Sequence, residues 1–304
     1  MNQNHGVRRD GLAGALLTLV GGMSWGASGT MGQYLFHHEH MDSRWLVPIR
    51  LGCAGVILFV WCFLRERELL FRPWKNRRDR AHLLIYGILG VTFCQFTYFL
   101  TIQFSTAVIG TIMQELSPAL ILAVTCVIRR RRPERFELIS ILLALAGVLL
   151  ITTHGSFGAL RIPAAALTAG LISVCCVTVY NMEPIVGEYP VTVLQTWAFL
   201  LGSAVTALLF RPWRAAYTPT AAGLFGIAFV VLVGNVLAFT VYMKGVQMIG
   251  PQKGILYGFS EPVTAALIGT LFLGNPFTGW DAAGFACIFA MMAIISAKPQ
   301  ETIS

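Results

Sequence analysis

Apolar residues run through this chain in long unbroken stretches, separated by short connections where arginines, glycines and prolines collect. A helix rising about 1.5 Å per residue needs about 20 apolar residues to cross a bilayer core. The stretches predict ten spanning helices, at roughly 12–36, 44–64, 83–103, 106–128, 136–152, 163–182, 190–210, 220–243, 252–273 and 278–297. Membrane barrel strands run about ten residues and alternate apolar with polar; these runs are continuous, so helices are expected. The connections leave no room for a folded extramembrane domain. The run after Arg8 and Arg9 stays apolar for about 25 residues and further spans follow, which predicts an uncleaved first helix rather than a signal peptide.

Composition agrees: 56% of the 304 residues are hydrophobic and only 12% are charged, as expected of an all-α integral membrane protein. The net charge of +8 does not signal a nucleic-acid partner, because the basic residues collect at span ends. With the N-terminus inside, Arg8, Arg9, the run from Arg65 to Arg80, the run from Arg129 to Arg135, Lys244, Lys253 and Lys298 fall on the cytoplasmic side. Only Arg44, Arg161, Arg211 and Arg214 fall outside. This bias predicts a multi-pass protein of the bacterial inner membrane with both termini in the cytoplasm. The seven cysteines all lie in apolar runs without metal-type spacing, and are expected to be small buried hydrophobes. Neither a metal nor a tightly bound cofactor is expected.

Two stretches repeat. Gln95 to Pro118 reads QFTYFLTIQFSTAVIGTIMQELSP and Phe239 to Pro262 reads FTVYMKGVQMIGPQKGILYGFSEP, with Tyr98 as far ahead of Pro118 as Tyr242 is of Pro262. Each half holds five spans, and an odd number forces the second copy to lie upside down in the membrane. The expected organisation is a tail over 1–11, a first five-helix repeat over 12–152, a second over 163–297 and a tail over 298–304. Inverted repeats whose helices carry Pro and Gly at matching positions point to a binding site near the midplane and to alternating access.

Ser24-Trp25-Gly26 in the first span, Pro48-Ile49-Arg50 in the second, Leu116-Ser117-Pro118 in the fourth and Ser260-Glu261-Pro262 in the ninth resemble, in that order, the drug/metabolite transporter superfamily and within it proteins with two EamA domains. The resemblance implies a ten-helix secondary carrier, often an exporter of amino acids, amines or related metabolites. Where the second domain of that family often has Gly-Glu after its fourth helix, this chain has Gly274-Asn275. No role for an acid is borrowed at that turn.

Charged groups inside a span need a partner or a wet cavity. Glu115 and Glu261 fall near the midplane of their spans and are expected to bind substrate or couple transport to protons. Arg50 has two readings, a structural ion pair or a contact to a substrate carboxylate. Thr111, Gln114, Glu115 and Pro118 follow the spacing of one helix side, as do Tyr257, Ser260, Glu261 and Thr264, and these faces are expected to line one cavity with Gln114 and Tyr257 among its binding or coupling residues. In the register set by the prolines Glu261 matches Ser117 rather than Glu115, so the two acids need not be equivalent. Gln95, Tyr98 and Asn235 are further candidates for the cavity wall, against the alternative that such groups join helices by hydrogen bonds. Trp25 either walls the cavity or packs in the core. Cations and anions near the membrane interior suit a zwitterionic substrate.

Two motifs point elsewhere. Gly26-Ala27-Ser28-Gly29 has the form used by intramembrane serine proteases, in which Ser28 would need a base. His37, His38, Glu39 and His40 could touch a metal, but one short loop brings them together poorly. No Gly-x-x-x-x-Gly-Lys-Ser/Thr phosphate loop is present, which disfavours ATP hydrolysis. A structural role in the membrane is the remaining alternative.

Overall fold

The structure is a computed structural model describing residues 3–154, 162–214, 217–250, 254, 257–258 and 260–297, with only the backbone described for 3–10, 295 and 296. Lys253, Arg161 and Lys298 therefore lie outside the described residues. The helices are α1 (Gln3–His37), α2 (Ser43–Arg65), α3 (Arg67–Lys75), α4 (Arg77–Phe104), α5 (Ala107–Ile128), α6 (Arg135–Thr153), α7 (Ala164–Met182), α8 (Val191–Phe210), α9 (Ala221–Ile249), α10 (Ser260–Leu273) and α11 (Gly279–Ala297). Among the described residues seven of them, α2 and α4 to α9, are long and apolar enough to cross a membrane, and α10 and α11 are shorter apolar helices. Large apolar side chains such as Leu64, Val127, Leu208, Leu271 and Phe272 stand exposed on the outer surface. Such a surface has no place in water and suits lipid.

The packing follows a pseudo-twofold pattern. α1 lies against α9 and α10, and its counterpart α7 lies against α4 and α5. The pairs α2 with α8, α6 with α11 and α5 with α10 each join one half to the other. Small residues permit the closest crossings: a side chain on Gly245 would strike Thr18 of α1, and one on Gly147 would strike Ile288 of α11. Lipid tails are as apolar as leucine, so close backbone approach and hydrogen bonds hold such helices together.

Both repeats carry the same irregularity. α4 widens to π-helical turns over Ile85–Thr92 and α9 does so over Val230–Leu237. Gly90 and Gly234, equally placed ahead of Tyr98 and Tyr242, lie hard against Tyr180 of α7 and Ser28 of α1. π-helical turns displace the residues after them around the helix and often mark functional positions. α5 has a break of its own. Pro118 has no N–H for the carbonyl of Gln114, and the chain turns at Glu115 and Leu116, where Leu116 N–H bonds Met113 O at 3.2 Å.

Two expectations change. α3 is a short helix in a connection for which no helix is predicted: Leu70 and Pro73 are buried, and Trp197 Nε1 donates to Leu70 O at 2.7 Å. The cysteines divide, with Cys62, Cys94, Cys126 and Cys176 buried but Cys53 and Cys175 exposed on the outer face. A small apolar thiol is as acceptable to lipid as to a core.

Candidate functional site

A cavity of about 350 Å³ lies between the two halves. α1 contributes Trp25 and Ser28, α2 Arg50, α4 Gln95, Tyr98 and Phe99, α5 Gln114, α7 Tyr180 and Asn181, α8 Gln195, α9 Asn235 and Tyr242, and α10 Glu261. The lining continues to Val186 and Val191 at the connection between α7 and α8, and Asn181 beside it is exposed. The opposite end is tied shut. Gln33 of α1 donates to Asn275 Oδ1 at 2.7 Å, while its Oε1 accepts from Ala107 N–H at 2.8 Å and from Asn275 Nδ2 at 3.1 Å. Gln103 Oε1 accepts from Ser43 N–H at 2.8 Å beside it. The cavity thus reaches toward the end formed by residues 66–82 and 183–190 and is sealed from the end formed by 37–43 and 274–279.

Seven of the nine residues expected in a binding or coupling role line this cavity: Glu261, Arg50, Trp25, Gln95, Tyr98, Gln114 and Asn235. Glu261 is held by its backbone. Gly26 approaches the Glu261 carbonyl so closely that no side chain fits between, and Ser260 Oγ donates to Leu19 O at 3.0 Å. Among the described residues no side chain pairs with the Glu261 carboxylate. Trp25 packs on Tyr242 with ring centroids 4.8 Å apart, and the two make an aromatic wall. Gln114 also joins helices, donating to Ser173 Oγ at 2.9 Å.

Glu115 and Tyr257 are not in the lining. The turn at Glu115 breaks the stripe that an ideal helix would put on one side: Gln114 faces the cavity, Thr111 is buried against Val108 O, and Glu115 is displaced. Tyr257 precedes α10, and its carbonyl accepts from Ser260 Oγ at 2.9 Å.

Arg50 is buried, and so is its neighbour Asn235. Its Nη2 donates to Asn235 Oδ1, and its guanidinium lies over the Phe99 ring, 4.0 Å from the centroid. No acidic side chain among the described residues pairs with it. Among the described residues Arg50 therefore makes no structural ion pair. Gln195, Tyr180 and Phe99 were not anticipated in the lining. Gln195 was signalled by a lone amide inside an apolar span, and its Oε1 accepts from Tyr86 Oη at 3.2 Å.

The other motifs disperse. Ser28 packs against Gly234, and the histidines at span ends, His82 and His154, pair with Glu183 and Asp281 rather than entering the cavity. His37 meets Gln103 O while His38 stacks on Tyr34. A second hollow, of about 660 Å³, lies outside the bundle among Arg72, Lys75, Arg78 and Glu188.

Two inverted five-helix repeats enclosing a polar cavity define a class of membrane transport protein. The chain matches the model of the EamA-like transporter family twice, over residues 12–153 and 156–297, and belongs to that family. It is 33% identical over 285 residues to the uncharacterized inner membrane transporter YicL of Salmonella typhimurium, covering 93% of this chain and 95% of that one. It is 24% identical to the uncharacterized transporter YrdR of Bacillus subtilis, over 93% of this chain and 90% of its relative. A solved crystal structure superimposes with a TM-score of 0.59 at 16% identity, covering 95% of this chain and 96% of its own, a likeness of fold alone.

Proposed function

We propose that this protein is a secondary transporter that exports a small amino acid, amine or related metabolite across the bacterial inner membrane by alternating access. The units that move are the halves 12–152 and 163–297, with the tails 1–11 and 298–304 in the cytoplasm. One observation carries this reading: the cavity takes its walls from both repeats and holds the Glu261 carboxylate without an ionic partner among the described residues. A rocking of one half against the other changes which end of such a cavity is open, as inverted-repeat carriers require. Glu261 receives the cationic end of the substrate or a proton. A carboxylate in a dry site favours its neutral form and an adjacent cation favours the charged form, so cavity opening exchanges one for the other. Pro262 leaves a carbonyl one turn back without its helical donor, which helps keep this segment hydrated.

The test is transport by reconstituted protein over a range of pH. Glu261→Gln, nearly isosteric, retains folding and abundance but flattens the pH dependence or abolishes transport of amine-bearing substrates. Glu115→Gln does less, because Glu115 is not among the residues that line the cavity. A wild-type rate and pH profile in Glu261→Gln contradicts the assignment, and the reverse ranking of the two acids moves the role to Glu115.

A further inference from the structure

The contact between Arg50 and Asn235 joins α2 of the first repeat to α9 of the second, and it is incomplete. Arg50 Nη2 bonds Asn235 Oδ1, but Arg50 Nε, Arg50 Nη1 and Asn235 Nδ2 have no acceptor among the described residues. Both side chains are almost wholly buried, at 3% and 2% exposure. Leaving a buried donor unmet is unfavourable, and a buried cation without a counter-charge more so. The Phe99 ring covers one face of the guanidinium but does not accept its in-plane N–H groups.

Packing does not require this charge. The matching crossing in the other half, where the π-helical turns of α4 meet α8, places Gly87 against Ala198 and is bridged by the neutral Tyr86–Gln195 bond. A helix-joining role also ends with donors matched to acceptors, and here they are not. Asn235 spends its one acceptor on Arg50 and leaves its amide N–H groups beside the guanidinium, so the pair offers donors only. A planar group with two acceptor oxygens and a negative charge is the complement of such a set. Glu261 lines the same cavity from α10, and Tyr98 of α4 lines it as well.

We propose that Arg50 and Asn235 form a subsite for a carboxylate of the transported molecule, so that the substrate class is a small carboxylic acid with a cationic group directed to Glu261. This rests on the transporter reading and deepens it. Arg50 is the charge, and Asn235 fixes its orientation and adds donors. The free nitrogens are shielded in this conformation, so docking includes a side-chain shift at Asn235 or Phe99.

The experiment compares matched pairs on the purified full-length protein: phenylalanine with phenethylamine, leucine with isoamylamine and lysine with cadaverine. Binding is read as ligand-induced thermal stabilisation, and transport as counterflow in vesicles. The expected result is that at least one acid binds at least about tenfold more tightly than its decarboxylated partner. Arg50→Lys, which keeps the charge but not the planar donors, loses that preference. Asn235→Asp supplies an internal carboxylate to Arg50. It is expected to melt no lower than wild type and yet to lose the preference, a combination that a merely structural Asn235 does not give. Equal binding of acids and amines, no stabilisation by any acid, or an Asn235→Asp protein with its preference intact overturns the subsite. Acids that bind but are not carried contradict the transporter reading and leave the subsite standing. Amines carried as readily as acids do the opposite.

Discussion

Gln33→Leu probes the closed end of the cavity. The Gln33 side chain makes three hydrogen bonds, at 2.7, 2.8 and 3.1 Å, that tie α1 to the first turn of α5 and to the connection between α10 and α11. Leucine fills most of the same volume but leaves the buried Ala107 N–H and the partly buried Asn275 amide unpaired. At about 0.5–1.5 kcal/mol for each of the three bonds, the closed arrangement loses about 1.5–4.5 kcal/mol, of which a value toward the low end, about 2 kcal/mol, is the conservative figure. In a two-state equilibrium that is roughly a 30-fold shift toward a form open at this end. Cys94, which lines the cavity and is buried, serves as the reporter when it is the only cysteine retained. In right-side-out vesicles a membrane-impermeant thiol reagent is expected to label Cys94 many times faster in Gln33→Leu than in the parent. Melting in detergent should fall only slightly. Labelling within about twofold of the parent, a shift worth under about 0.5 kcal/mol, would show that these bonds do not hold the cavity shut.

Three further outcomes are expected. Gly26→Leu, whose side chain would meet the Glu261 carbonyl and Thr264, lowers stability by about 1–3 kcal/mol or more, whereas Gly187→Ala, with open space around it, leaves melting unchanged. Asp42 caps α2 by accepting from Arg44 N–H, and hydrogen bonding to Arg44 holds its carboxyl below the ordinary value of 3.8. A depressed value in the folded state gives stability that is full above the ordinary value and fades as pH falls through the folded one. Asp42→Ala should therefore cost about 1 kcal/mol near neutral pH, with the deficit closing in acid; an equal deficit in acid excludes the charge as its source. Cysteines placed at Lys75 and Arg131 should label from the cytoplasm and those at His38 and Arg214 from outside. Labelling of His38 and Arg131 positions from one side rejects the span count.

The helices and their two-repeat order were legible because a span announces itself by an unbroken apolar run, and because Tyr98 and Pro118 recur as Tyr242 and Pro262. Trp25, Arg50, Tyr98 and Glu261 were legible as polar or aromatic groups that lipid would not accept without cause. What escaped is local geometry. Helical spacing assumes a regular turn, so it could not show that the π-helical stretches of α4 and α9 displace the residues after them, or that the turn at Glu115 parts it from Gln114. The partner of Arg50 escaped as well, because Asn235 lies in the other repeat and only the packing of α2 on α9 brings the two together. Helix α3 was hidden by its charges, since its stability comes from two buried residues and a tryptophan donated by α8.

Solute counterflow tests the central claim most directly, because it needs no knowledge of the coupling ion. Vesicles containing the purified protein are loaded with one unlabelled amino acid or amine at a time and diluted into a trace of the same compound in labelled form. For at least one compound, a transient accumulation of label above the equilibrium level is expected, absent from protein-free vesicles and strongly reduced in Glu261→Gln. If no amino acid or amine in a broad panel gives that overshoot, with correctly folded protein in the vesicles, the proposed export of such metabolites through this cavity is contradicted.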